Sequence, residues 1–530
     1  MKKTTKILMI LSFCFCIISA CVSAVFALTN VEIMMGISNI TFQTDGWLNF
    51  SVSNAQLRGL TKQSDSGEMK GFTITSYMDD QDIEDYVKMN GWNSAKLQFK
   101  SNAKGLGQIA FTVKNDTKYE GTCLFVHVST NKETDSYIKA IPSGDFYLNK
   151  GQHHTFTIDL ISTSPTSTST TYTTISGLNI NVQVEEVIAS EEHCTQEWYA
   201  TQGYTFTLND DDYTATLTKF TASGSVANIP DLVQNNDYDN LKLYTVTKIA
   251  DATASSAGAF YSVRSAIKSI VFPSTLVSIG NYAFYYCQYI NTAVNIPNSV
   301  ERIGQYAFYY GGQSTTRPTL TLSSRLREIG ARAFYYGKFS GSIKIPRTMK
   351  IVQTYAFYNC SNFTSLSLSY GLEAVKSNAF NNCYGLKGSL NLPDTLTEIG
   401  DSAFSGTGFS GSLTIPGGVK TISSFAFATM GNTYEIYINE GVQVIKGYAF
   451  GQSLVEDIYL PSTLKTIESC AFDACESLSN IITFATTPPT CYADSFPYTG
   501  IDVYAVTGPY NTTAVWKEMA LFPISEWYGY

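Results

Sequence analysis

In the second half of the chain the dipeptide Ala-Phe recurs ten times, ending in Phe260, Phe284, Phe308, Phe334, Phe357, Phe380, Phe404, Phe427, Phe450 and Phe472, at intervals of 22 to 26 residues. No other feature restricts the fold as much. A unit that short cannot enclose a hydrophobic core, so neighbouring units must stack and share one. Each unit also carries a short alternating segment, such as Val294-Asn295-Ile296, Leu320-Thr321-Leu322, Ile343-Lys344-Ile345, Leu366-Ser367-Leu368, Leu390-Asn391-Leu392 or Leu413-Thr414-Ile415. Alternation buries the outer residues and exposes the middle one, the pattern of a half-buried strand. Pro297, Pro346, Pro393, Pro416 and Pro461 directly follow such segments. Proline cannot donate to a β-ladder and belongs where pairing stops. The predicted unit is therefore a strand, a turn and a return segment that carries Leu-x-x-Ile and Ala-Phe inward. Stacked units make a parallel solenoid.

Two further motifs carry a family resemblance. Phe363-x-x-Leu366-x-Leu368 matches the Leu-x-x-Leu-x-Leu heart of leucine-rich repeats, and Ile279-Gly280-x-x-Ala283-Phe284-x-x-Cys287 resembles the BspA-type subclass. The resemblance covers about residues 200–530. Tyr244 to Ile249 looks like the lead-in to the first coil, while Thr487, Pro488, Pro489, Phe496, Val503, Tyr504 and Trp516 look like a closing cap. Some columns depart from the pattern: Ser323, Ser369 and Asn439 replace Pro, and Gln353, Lys376, Ser423, Lys446 and Glu468 replace Gly. The Gly column therefore does not demand positive φ in every coil. The resemblance implies an adhesion-type surface protein that attaches to extracellular-matrix proteins, other bacteria or host cells.

The first half lacks the repeat. Gln108–Val113, Leu124–Val128, Thr155–Ile158 and Leu178–Val184 alternate between clusters of Gly, Asn, Asp and Ser, which predicts an antiparallel β-sandwich-like domain. The fold class is thus mostly β, an N-terminal sandwich followed by a parallel solenoid. The predicted boundaries are a leader at 1–27, the sandwich at 28–194, an N-terminal solenoid cap at 195–256, repeats at 257–485 and a C-terminal cap at 486–530. The Ser/Thr-rich run from Ser162 to Thr174 is read as a loop inside the sandwich.

Lys2, Lys3 and Lys6 precede an apolar run from Ile7 to Leu28, the layout of a secretory signal. Cleavage after Ala27 fits the small-residue rule. Ile18-Ser19-Ala20-Cys21 also resembles a lipobox, and the run is long enough to remain as an anchor. All three readings export the remainder, to the cell surface or beyond it, with membrane contact only through a lipid or a retained leader. Cys287, Cys360, Cys383 and Cys475 each stand three residues after the Phe of an Ala-Phe pair. Recurrence at one repeat position favours buried free thiols over disulfides.

Only 15% of the residues are charged and the net charge is −9, with no basic cluster. That excludes nucleic acid as a partner, because displacing its counterions needs clustered Lys and Arg. The four histidines all lie at or before His193, so the repeats cannot hold a His-based active site. Gly406-x-Gly408-x-x-Gly411 matches the dinucleotide fingerprint in form, but it follows Phe404 within one repeat and precedes a strand, where the fingerprint needs a helix. Asp79 to Asp85 and Asn209 to Asp212 read as an acidic loop and a hairpin turn, and His153-His154 as an exposed pair. No enzyme, cofactor or metal site is predicted.

The candidate binding residues lie on the exposed strand face. Tyr437, Tyr459, Glu435 and Asp457 form an aromatic and acidic patch near the C-terminal coils, and Lys344 sits on an earlier coil. A well-solvated face with no ligand remains the alternative. Tyr285-Tyr286, Tyr309-Tyr310, Tyr335-Tyr336 and Tyr358 should stack into a strip, which covers the edge of the core or contacts a protein or glycan. The expected partner is an extracellular protein. The second reading is a glycan bound by the N-terminal domain, with exposed Trp47 and Trp92 as its signature and the solenoid as a spacer.

Overall fold

One hydrogen bond explains the Ala-Phe pair. In the computed structural model, the amide N–H of Phe260 donates to the carbonyl of Ala283 in the next coil, and every later Phe up to Phe450 repeats the bond at 2.7–3.0 Å. Ala supplies the carbonyl with a side chain small enough to stay buried, while Phe fills the interior. Within 33–107 and 172–188 the structure describes only the main chain of the strands 33–34, 40–44, 48–58, 60–65, 73–77, 86–94, 97–101, 106–107, 172–175 and 178–188, Ile180 being described in full. Residues 108–505 and 519–523 are otherwise described apart from 116–121, 132, 134–137, 163–171, 176–177, 189–194, 238–241, 432 and 498–500. The leader 1–27 with Cys21, the acidic run Asp79–Asp85, Trp47 and Trp516 lie outside the described residues, as does the side chain of Trp92.

Two compact units make up the chain. The first comprises residues to Leu217 with Pro230–Thr247 and Pro273–Val277, and the second Thr218–Ile229, Lys248–Phe272 and Ser278 onward. The first unit holds two large antiparallel sheets. One runs Ile33–Met34, Leu48–Arg58, Leu106–Asn115, His153–Ser162, Ile138–Pro142, and the other Phe146–Asn149, Thr122–Thr130, Leu178–Ile188, Tyr86–Ser94, Thr73–Tyr77. Alternate residues Ile109, Phe111, Val113, Phe156 and Ile158 are buried on one, and Leu124, Val126, Val128 and Leu148 on the other. That is the sandwich the alternation predicts. Most of the Ser/Thr-rich run lies outside the described residues, but the strands on either side of it, His153–Ser162 and Tyr172–Ile175, both belong to this unit.

Further segments complete the unit. Thr195 caps the helix Gln196–Thr201, its hydroxyl accepting from the Trp198 N–H at 3.1 Å. Asn209 to Asp212 turn a hairpin between Tyr204–Asn209 and Thr214–Phe220, as expected. Strand Phe146–Asn149 is tied to the Leu243–Thr245 segment: Asn149 Nδ2 donates to the Leu243 carbonyl at 2.7 Å, and the Tyr147 hydroxyl donates to Asp231 at 2.9 Å. Cys123, Tyr147, Leu232 and Leu243 bury together beneath these bonds.

In the second unit, each coil is stitched to the next by three backbone ladders. The first is the predicted strand face, continuous in parallel register over Gly411–Ile415, Thr433–Ile438, Asp457–Leu460, Asn480–Thr483, Asp502–Ala505 and Ala520–Pro523. Earlier coils contribute shorter pairs. The expected strand Leu390–Leu392 is a correction. Leu390 is buried and Asn391 exposed, but the inter-coil bonds there are made at the bend just before, through Lys387 N–H to Thr364 and Ser410 N–H to Gly388.

The second ladder went unrecognised in the sequence: two-residue strands such as Ser278–Ile279, Arg302–Ile303 and Glu328–Ile329 also pair in parallel. Their Leu-x-x-Ile spacing reads as a return segment because two residues are too few to show a period. Ion pairs accompany this ladder, with Lys376 Nζ 2.6 Å from Glu398 and Lys350 Nζ 3.4 Å from Glu373. Being partly exposed, they set register more than stability.

The third ladder is the Ala-Phe segment. Tyr282, Phe284 and Tyr286 donate to the next coil, while Ala283, Tyr285 and Cys287 donate within their own. This alternation places left-handed residues on both sides of the Ala-Phe pairs from Ala283-Phe284 to Ala471-Phe472, including Tyr282, Tyr286, Tyr306, Tyr310, Tyr336 and Tyr355 at φ 56–60°. The column glycines Gly280, Gly304, Gly330 and Gly400 do not have positive φ. They are small because of close approach instead: a Cβ on Gly280 would lie 2.0 Å from the Ala250 carbonyl oxygen.

Phenylalanine rings form a single file through the core. From Phe260 to Phe472 each is fully or almost fully buried and stacks on the next at 4.4–5.7 Å. The file extends past the ten repeats, to Phe220 at one end and to Phe496 at the other. The repeat-column cysteines are buried thiols. Cys360, Cys383 and Cys475 each donate to the carbonyl of the Phe one coil earlier, at 3.0, 3.0 and 3.1 Å.

Candidate functional site

Alternation along Thr433–Ile438 and Asp457–Leu460 sends Ile436 and Ile458 inward, fully buried, and leaves Glu435, Tyr437, Asp457 and Tyr459 on the outer face. Parallel register sets Glu435 beside Asp457 and Tyr437 beside Tyr459. The two tyrosine rings stack at 4.3 Å with planes 13° apart. The Tyr437 hydroxyl donates to Glu435 at 3.3 Å, and Asn480 Nδ2 donates to Asp457 at 2.7 Å. Burial raises the Tyr437 phenol above its ordinary range, and Tyr459 and Glu435 push it the same way. It stays a neutral donor.

The file does not end at Tyr459. Ile482 follows in register, fully buried, then Tyr504 and Phe522, whose rings stack at 5.3 Å. Tyr434, beside Glu435, is 49% exposed. The sequence shows these coils only as a closing cap because no Ala-Phe pair marks them. Lys344 is exposed between buried Ile343 and Ile345, but its strand Gly341–Ile345 pairs only with Phe363–Leu368, in a separate sheet. The structure therefore does not bring Lys344 to the patch.

A second cluster lies on the Ala-Phe side. The predicted strip is present as two columns: Tyr285, Tyr309, Tyr335 and Tyr358 stack at 4.9–5.0 Å, and Tyr286, Tyr310 and Tyr336 at 4.9–5.0 Å. A third column was missed: Tyr282 and Tyr306 stack at 4.8 Å, and the Arg332 guanidinium continues it, 5.7 Å from the Tyr306 ring and 4.8 Å from that of Tyr355. The signal was there, one residue before each Ala-Phe pair.

Elsewhere the described residues show no catalytic arrangement. His153 is exposed, but His154 stacks on Phe146 at 3.9 Å, and burial lowers its pKa to about 4. The pair therefore diverges, and only His153 is the exposed histidine that was expected. Asp145 accepts from His127 Nδ1 at 2.7 Å and from the Ser274 hydroxyl at 2.6 Å. With the carboxylate in the middle, the imidazole does not reach the serine, so the set bridges segments rather than activating a nucleophile. Gly406 and Gly411 have φ of 66° and 90°, and Gly411 opens a strand rather than a helix. Among the described residues no three of His, Cys, Asp or Glu converge as metal ligands, and no helix is long and apolar enough to cross a membrane.

The profile of the BspA-type leucine-rich repeat region matches residues 253–387 and 350–479, in six copies. The repeat region belongs to the BspA-type leucine-rich repeat family. No curated protein matches the chain. Among solved structures, a leucine-rich cell surface protein from Faecalibacterium prausnitzii A2-165 is 23% identical, with 56% of this chain and 84% of that one covered and a TM-score of 0.38. A leucine-rich repeat protein from Bacteroides ovatus ATCC 8483 is 18% identical over 60% and 80%, with a TM-score of 0.35. One from T. pallidum is 20% identical over 38% and 86%, with a TM-score of 0.32.

Proposed function

We propose that this BspA-type solenoid is the recognition module of an exported, non-enzymatic bacterial surface protein that attaches to an extracellular protein partner. The observation that carries this reading is the stacked Tyr437–Tyr459 pair, flanked by Glu435 and Asp457 and extended by Tyr504 and Phe522. Aromatic groups held rigid on a strand face lose little entropy on binding and supply much of the energy of protein contacts. The carboxylates beside them favour a partner that presents basic residues at the rim. The family resemblance supports the same role.

The test uses the chain from residue 28 and its Tyr437→Ala/Tyr459→Ala variant, titrated onto immobilised extracellular-matrix proteins. Loss of two central aromatic anchors should weaken binding roughly 30-fold, equivalent to about 2 kcal/mol. A folded double variant that binds as tightly as the parent removes this patch from the recognition surface.

A further inference from the structure

The tyrosine array on the Ala-Phe side is a second surface, and its chemistry differs from that of the strand-face patch. Its rings lie outside the fully buried Phe file and are themselves half-buried to exposed. Its hydroxyls are unused. Elsewhere in the chain a packed tyrosine finds an acceptor, as Tyr147 does on Asp231, Tyr244 on Asp210 and Tyr437 on Glu435. None of the array hydroxyls donates to a described residue.

The backbone beneath these rings takes an unfavourable conformation. Tyr286, Tyr310 and Tyr336 are left-handed, at φ 56–60°, where a bulky side chain costs about 1 kcal/mol or more and Asn or Gly is the usual choice. Further along the column the residue changes but the conformation does not: Asn359, Asn382 and Gly406 follow, then Thr429, Gln452 and Ala474 at φ 52–57°.

The surface is neutral, flat and periodic. Successive rings in a column are parallel within 12° and repeat every 4.8–5.0 Å. Rings in adjacent columns are inclined by 47–63°. Within a column the faces are taken up by neighbours, so a partner meets rows of phenol hydroxyls and ring edges. Arg332 is the one charge among them. The next coil continues the surface with amides, Asn381 Nδ2 donating to Asn378 Oδ1 at 2.8 Å. Uncharged donors and acceptors alternating with apolar edges, repeated in a straight line, complement a polymer of the same character. A polysaccharide chain has hydroxyl rims and apolar C–H faces at every sugar ring. A β-1,4-linked chain is an extended ribbon, whereas an α-1,4-linked chain coils away from a straight track.

We propose that the tyrosine columns over coils 282–358, with the amides of the following coil, bind an extended neutral polysaccharide along the solenoid axis. Affinity electrophoresis of the chain from residue 28 tests this, with native gels holding hydroxyethylcellulose, glucomannan, soluble starch or heparin. The informative variant is Tyr286→Asn/Tyr310→Asn/Tyr336→Asn. It removes one column but installs Asn, which the next two coils carry at that position and which tolerates the left-handed conformation, so the thermal midpoint should hold or rise. The expected result is retardation by hydroxyethylcellulose or glucomannan that resists added salt, and at least a tenfold loss of that affinity in the triple variant. Tyr437→Ala/Tyr459→Ala should leave the retardation intact, which separates this surface from the strand-face patch. Retardation by starch alone overturns the extended-chain assignment. No retardation by any neutral polymer, salt-sensitive retardation by heparin only, or a triple variant that loses protein binding while keeping its glycan affinity, overturns the proposal.

Discussion

Replacing Phe357 by Ala removes one ring from the middle of the core file. Its ring stacks on Phe334 at 5.2 Å and on Phe380 at 5.3 Å, both within 2° of parallel, and meets Phe363 edge-on at 6.1 Å. It is fully buried. A buried Phe→Ala change costs about 3–5 kcal/mol through lost transfer energy and the cavity left behind. The upper part of that range applies here. The backbone on both sides is held by Phe334 N–H to Ala356 and Phe357 N–H to Ala379, each at 2.9 Å, so the coils cannot collapse into the gap. Coils touch only their neighbours, and the loss should therefore be read locally rather than as one global midpoint. Hydrogen exchange followed by mass spectrometry should show faster exchange in the coils of Phe334, Phe357 and Phe380, fading by about two coils in either direction, with the sandwich strands unchanged. Faster exchange restricted to the mutated turn, or a cost below about 1 kcal/mol, would refute the shared-core reasoning.

Three chemical consequences follow from burial. Burial raises the thiols of Cys287, Cys360 and Cys383, the last to about 12, so a thiol reagent at pH 8 should leave them unmodified in the native chain and label them after denaturation. Reducing agent should not lower the thermal midpoint, since these cysteines are unpaired. His154 is held neutral, its pKa lowered from 6.5 to about 4; the unfolded chain takes up the proton first. Stability should therefore be complete above pH 6.5 and fall as pH drops toward 4, by on the order of 3 kcal/mol, and His154→Phe should flatten that dependence in a pH series of melting curves.

The sandwich was legible because its strands alternate over four or more residues, as in Gln108–Val113, long enough for the period to emerge. The Ala-Phe file was legible because it repeats. The second ladder was not, since Arg302–Ile303 and its equivalents are two residues long and take their strand character only from the coils on either side. The outer coils around Phe496 and Tyr504 were legible only as a closing cap, because no Ala-Phe pair marks them, although the ring file and the strand ladder continue unbroken. For the candidate sites, the residues were readable and their grouping was not. Lys344 and Tyr437 occupy equivalent repeat positions, yet they fall in different sheets because the ladder lapses around Leu390.

By itself, the sequence determined that this chain must be a stacked parallel array: a repeat of 22 to 26 residues with one apolar face has no other way to bury Phe and Ala. It also determined which side chains point inward, because strand alternation needs no partner to be read. Only the tertiary structure decided what those positions become. The left-handed turns beside the Ala-Phe pairs from Phe284 onward arise from alternating bonds between and within coils, which do not exist until two coils meet. The ring stacking of Tyr437 on Tyr459, the three tyrosine columns and the thiol bonds to the preceding Phe carbonyls depend on the same meeting, since each joins residues more than twenty positions apart through a register that hydrogen bonding sets.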